Sequence, residues 1–189
     1  MAITRTESKV WYGYADLWYA AENTAAPTST TTLQDPGAAG YTGLGFSGEG
    51  AELEISKDLT DIMVEEQLTA VDTVVTGLTV MVRMQLAEDT IENRQLTMGI
   101  GTLVTTAYSA GVQIPKKTLT LGSTLAKKAI VMDVTNPLGY TTRLYIPSVA
   151  AVATVQTTFK RAEKRLYPLE FKALCDPSTI TILEQSGTS

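Results

Sequence analysis

Residues 78–86 alternate without a break, with Leu78, Val80, Val82, Met84 and Leu86 on one face and Thr79, Arg83 and Gln85 on the other. A period of two over this length predicts a half-buried strand with one wet face. The stretch 61–70 carries a noisier form of the pattern, setting Ile62, Val64, Leu68 and Ala70 against Asp61, Glu65, Gln67 and Thr69. The two runs are expected to form a pair of long amphipathic strands, joined by a link over 72–77, whose shared polar face is largely acidic. Ile62, Val64, Val80, Val82, Tyr167 and Phe171 are the expected core beneath.

The same period recurs elsewhere. An aromatic-rich run at 11–20, holding both tryptophans and three of the eight tyrosines, reads as an opening strand. Residues 51–55 alternate with Glu52 and Glu54 outward. Shorter strands are predicted at 118–121, 129–134, 142–146 and 179–183. Two longer runs, 151–160 and 165–174, are expected to pair as a hairpin through the charged turn at 160–165, with Tyr167, Leu169, Phe171 and Ala173 opposite Glu170 and Lys172. One helix of about ten residues is predicted. Asp89 is its expected N-cap and Glu92 its capping-box partner, Gly99 is its stop, and Ile91, Gln95 and Met98 share its inner face.

Between these elements lies an aperiodic Ala/Thr/Ser/Gly/Pro segment at 22–45, expected to be a long flexible loop that orders against a partner. Gly43 and Gly45 resemble half of a dinucleotide fingerprint. The next glycine, Gly48, precedes an alternating strand rather than a helix, so no helix N-terminus is there to hold a phosphate. At 189 residues the chain is expected to be a single domain, 1–189, with a polar tail at 184–189.

Charge sharpens this picture. Eleven acids lie between Glu49 and Glu92, against Lys57 and Arg83, whereas after residue 110 ten Lys or Arg face five acids. A molecule polarised in this way suits head-to-tail stacking, acidic parts meeting the basic parts of a neighbour.

Histidine is absent, which excludes imidazole acid–base catalysis and imidazole metal sites, and Cys175 is the sole cysteine, which excludes an intrachain disulfide. Glu49 with Glu52, or Glu65 with Glu66, would be a carboxylate pair for glycoside hydrolysis, but paired acids on strands are commonly a solvated face. Asp58, Asp61 and Glu65 lack the spacing of a calcium loop. The lysines at 116–117 and 127–128 and the basic run at 160–165 lack the interleaved aromatics of a nucleic-acid platform. No catalytic residue, cofactor or metal is expected. The N-terminus has no signal-peptide core and no apolar run reaches membrane-spanning length, so synthesis and retention in the cytoplasm are expected.

Three stretches carry a family resemblance: Asp72-Thr73-Val74-Val75-Thr76-Gly77 leading into the alternating strand, Leu86-Ala87-Glu88-Asp89-Thr90-Ile91-Glu92-Asn93 leading into the helix, and Tyr167-Pro168-Leu169-Glu170-Phe171-Lys172-Ala173-Leu174-Cys175-Asp176-Pro177. With these the chain resembles the major tail proteins of long-tailed bacteriophages, the subunits of the tail tube. The resemblance implies a mainly β fold, a β-sandwich or half-barrel with one short α-helix and long loops, closing into a β-barrel ring on oligomerisation. It implies homohexameric rings stacked head to tail, further tail partners such as tape measure, tip and terminator, and DNA passing through the lumen without specific binding. Assembly in the host cytoplasm into the virion tail, with no membrane insertion, is expected. The C-terminal immunoglobulin-like decoration of some relatives is not expected.

On this reading Asp61, Glu65, Gln67, Thr69, Thr79, Arg83 and Gln85 line the channel, with Thr154, Gln156, Thr158, Glu170 and Lys172 from the second hairpin. Asp35, Tyr41, Asp72, Thr73 and Val75 are the expected ring-to-ring contacts. Two rivals remain open: another ring- or tube-forming injection component, such as a secretion tube or tail terminator, and a monomeric β-sandwich binding module. The latter needs a solvent-facing aromatic platform, for which Trp11, Tyr12, Tyr14 and Trp18 are the source.

Overall fold

In the computed structural model, residues 14–28, 33–45, 47–63, 65, 69–106, 116–135, 140–155 and 166–185 are described. The chain runs β1 (Tyr14–Ala21), β2 (Thr42–Gly43), β3 (Ser47–Ile62), β4 (Asp72–Leu86), α1 (Ile91–Met98), β5 (Ile100–Thr106), β6 (Lys116–Leu125), β7 (Lys127–Thr135), β8 (Thr141–Ala151), β9 (Tyr167–Ala173) and β10 (Thr181–Gln185). An eight-stranded antiparallel sheet has the order β2-β1-β7-β8-β9-β4-β3, with β10 added beside the first half of β8, and β5 pairs with β6 in a separate ribbon. The sheet does not close on itself. It ends in β3.

The core lies where alternation is cleanest. Val80, Val82, Met84 and Leu86 of β4 and Tyr167, Leu169 and Phe171 of β9 are buried with Leu17, Ile130, Leu144, Ile146 and Val149. Each fully buried aliphatic or aromatic side chain contributes on the order of 1.5–3 kcal/mol. A smaller cluster of Ala20, Tyr41, Ala129, Val131 and Tyr145 lies apart from it, with Trp18 half-buried against it.

Helix α1 begins one residue later than its sequence predicts. Thr90 is the N-cap, its hydroxyl accepting from the Asn93 amide, while Asp89 instead pairs with Arg94 and accepts from the Tyr167 hydroxyl at 2.9 Å. Glu92 reaches sideways to Lys117 rather than back to the cap. The buried face is Asn93, Leu96 and Thr97, not Ile91, Gln95 and Met98. Two polar residues hide this stripe in the sequence because they serve carbonyls: the Asn93 amide donates to Leu44 and Glu88, and the Thr97 hydroxyl to Asn93. Gly99 ends the helix at φ 64°, as predicted.

The hairpin is built differently from its sequence expectation. Strand β4 pairs along its length with Ser47–Ile62, from Ala51↔Met84 to Ile62↔Asp72, and not with a strand at 61–70. The 72–77 link is the beginning of β4, and of the residues between the two strands Met63, Glu65 and 69–71 are described and are not strand. Strand β9 likewise pairs with β4 and the end of β8. Residues 152–155 are not strand, and the rest of the expected 151–160 strand and its turn lies outside the described residues. Ribbon strand β5 escapes prediction because the positions that share a face with Leu103 are Gly101 and Thr105, which carry no hydrophobic signal.

The described parts of the 22–45 segment are fastened to the sheet. Tyr41 donates its hydroxyl to the Thr24 and Ala25 carbonyls, Tyr145 donates to Thr24, and Arg143 donates to Pro27 and Gln34.

Candidate functional site

The polar side of β3, β4 and β9 is built by register. Arg83 lies between Glu52 on β3 and Glu170 on β9, and Met81 lies between Glu54 and Lys172. Because Val80, Val82 and Met84 point into the core, Thr79, Met81, Arg83 and Gln85 must point the other way. Alternation predicts one face for Thr79, Arg83 and Gln85 and one for Glu170 and Lys172, and the β4–β9 pairing brings the two sets onto the same face. Thr154, beyond the end of β8, joins them at an open groove of about 420 Å³ shared with Glu52, Arg83, Gln85 and Glu170.

Arg83 is the centre of this face. Its Nε donates to Glu170 Oε1 at 2.5 Å, its Nη1 to Glu54 Oε2, and its Nη2 lies 3.6 Å from the Met81 sulfur. Those hydrogen bonds, Glu170 first and Glu54 second, hold the guanidinium above its ordinary range. The ion pairs also tie three strands together across the wall. Sequence reading places Glu54 outward but does not pair it with Arg83, because it sets β4 against the wrong partner strand.

Other candidates lie elsewhere. Asp61 is on the opposite side of β3, with Leu53 and Ile55, and accepts from Thr73 Oγ1 at 2.8 Å. Glu65 and Thr69 are exposed at the hairpin tip; Gln67, Gln156 and Thr158 lie outside the described residues. Ile62, an expected core residue, is 45% exposed, and Val64 is outside the described residues. Tyr41, an expected ring contact, is 4% exposed and its ring is already covered within the subunit. Asp35 is exposed and caps a turn by accepting from the Gly37 amide.

Beyond Met81, β4 has left β9 and pairs with β3 alone, forming a two-stranded arm. A bulge places Thr76 and Gly77 both opposite Asp58, after which Leu59 pairs with Val75. One side of the arm therefore carries Ile55, Leu59, Val75 and Leu78, all exposed, with Asp61 and Thr73 beyond them. Asp72, Thr73 and Val75 all sit on this arm.

Among the described residues no three His, Cys, Asp or Glu side chains cluster as a metal site, and no helix is long and apolar enough to cross a membrane. Cys175 is half-buried beside the core. Trp18 packs on the smaller cluster and against Gly43 instead of forming an open platform; Trp11 and Tyr12 lie outside the described residues.

The family model described as phage tail tube protein matches residues 4–183. No curated protein matches the chain.

Proposed function

From the premise that the chain belongs to the phage tail tube protein family, a family of structural virion tail components that self-assemble with other tail proteins, we propose that it forms hexameric rings stacked into a tube with an acidic channel for genome delivery. The observation that carries this reading is the β9-β4-β3 wall. Its inner side is the core, its outer side is polar, and it ends in a long strand edge that no strand among the described residues pairs with. Exposed strand edges invite pairing, and a closed ring of copies removes them.

The polar side suits DNA passage. Glu52, Glu54 and Glu170 repel phosphate, and Arg83 presents its charge to two of those glutamates. A wall of free cations would hold DNA by counterion release. Thr79, Arg83, Gln85, Thr154, Glu170 and Lys172 are assigned to the lumen. Asp35, Asp72, Thr73 and Val75 are assigned to contacts between rings. Assembly takes place in the host cytoplasm, with tape measure, tip and terminator proteins as further partners.

The test is electron microscopy of the purified chain together with cysteine labelling in a Cys175→Ser background. Thr79→Cys and Lys172→Cys should react with a bulky maleimide polymer before assembly and be protected from it in tubes. Tubes in which both positions label as fast as in the free subunit would overturn the lumen assignment. Growth that stops at single rings would point to a terminator-like component instead.

A further inference from the structure

The arm and the β5–β6 ribbon are complementary in charge and alike in exposure. Residues 55–80, the arm and its tip, hold five acids and one lysine, whereas residues 100–125 hold two lysines and no acid, with Lys127 and Lys128 following at once where β7 begins. Both are two-stranded, both expose apolar side chains (Leu59 and Val75 on the arm, Val104, Leu121 and Leu125 on the ribbon), and among the described residues no strand pairing joins them.

We propose that the acidic arm of one copy docks on the basic surface made by the β5–β6 ribbon and the adjoining start of β7 of a second copy. This rests on the tube reading above and names the acceptor surface within it. Lys117 and Lys127 already meet Glu92 and Glu22, yet remain 42% and 49% exposed. An ammonium has three donors, so each can bind a second carboxylate without giving up the first. The lengths agree: β6, at 10 residues, spans about 33 Å, enough for the arm from Ile55 to Ile62 at about 26 Å. The apolar side chains supply contact area where the lysines and acids supply register. Because the arm and the ribbon are different surfaces, the contact is heterologous. Made from ring to ring, where it does not close on itself, such a contact leaves free arms on one end face of the tube and free ribbons on the other, so growth is directional and open-ended.

The experiment uses the full chain in three forms: the parent, an arm-reversed variant (D61K/D72K) and a ribbon-reversed variant (K117E on β6 with K127E at the adjoining start of β7). Light scattering and electron microscopy follow assembly. Each variant alone should need at least about tenfold more protein than the parent to form tubes, since like charges are brought together. An equimolar mixture should recover assembly, because reversed arms meet reversed ribbons and native arms meet native ribbons. A ribbon-reversed variant that assembles like the parent, or a mixture that stays unassembled, overturns the proposal. A second ribbon variant, K117Q/K127Q, sets no new carboxylate beside Glu92 or Glu22. It should assemble more weakly and lose much of the parent's salt sensitivity; unchanged salt sensitivity counts against the contact. A parent chain that never polymerises overturns the tube reading, and this contact with it.

Discussion

Arg143 and Asp133 face each other across β8 and β7 in a two-point ion pair, Nε to Oδ1 at 2.7 Å and Nη2 to Oδ2 at 2.6 Å. The remaining donor of the guanidinium holds the Pro27 and Gln34 carbonyls, so a single buried side chain fastens the 22–45 segment to the sheet. Arg143→Met removes the cation and strands both Asp133 and those carbonyls. Breaking such a buried pair lowers unfolding free energy by about 3–5 kcal/mol. Urea denaturation of the unassembled subunit measures it, and a loss below about 1 kcal/mol would mean the pair is solvated in practice.

Tyr41 fastens the same segment from the other side. Burial, and after it the neighbouring Tyr145, pushes its hydroxyl from 10.0 up to about 12, with Arg143 pulling the other way. A raised folded-state value means that the neutral form is favoured in the fold. Its stabilisation is complete below pH 10 and is lost as pH climbs from there toward 12. The stability gap between the parent and Tyr41→Phe should therefore narrow over that interval. A gap that stays flat between about pH 9 and 12 would show that the hydroxyl ionises as freely folded as unfolded.

Gly99 ends α1 beside Ala151 of β8 and Leu125 of β6. At φ 64° an added Cβ would lie 2.9 Å from the Ala151 carbonyl oxygen and 3.1 Å from the Ala151 Cβ. The left-handed backbone alone disfavours alanine by about 1–2 kcal/mol, and the backbone clash adds to that. Thermal unfolding of Gly99→Ala should show a loss of roughly 2 kcal/mol or more. A variant as stable as the parent would mean that α1 shifts freely over β8.

How far the sequence carries depends on burial. Residues 78–86 and 167–173 were legible because one face of each is packed in the core, where a slip by one residue would bury the wrong face. The arm has no such constraint: Leu59, Val74 and Val75 are all exposed, and the bulge at Thr76 breaks the parity that alternation relies on. With that signal gone, the pattern at 61–70 competes with 47–62 as the partner of β4, although the true pairing is with 47–62. The acidic face survived the error because Glu52 and Glu54 alternate within the true partner strand. What no pattern reveals is that Arg83 is shared between Glu54 and Glu170, which are distant in sequence and meet only through the order β9-β4-β3.

The arm offers a way to separate assembly from folding. Leu59 and Val75 are 60% and 55% exposed and pair across the arm away from the core. Replacing both by serine removes apolar surface that the folded subunit does not bury, so stability should change by no more than about 0.5 kcal/mol. Tube formation should nevertheless fail, because that surface is what a neighbouring copy would cover. Phe171→Ala is the opposite case, since its ring is 1% exposed and its loss should lower stability by about 3–5 kcal/mol. Sedimentation and thermal unfolding of the two variants side by side separate the roles. If Leu59→Ser with Val75→Ser destabilises the lone subunit as Phe171→Ala does, the arm is part of the fold; if it leaves both stability and tubes intact, the arm is not where copies meet.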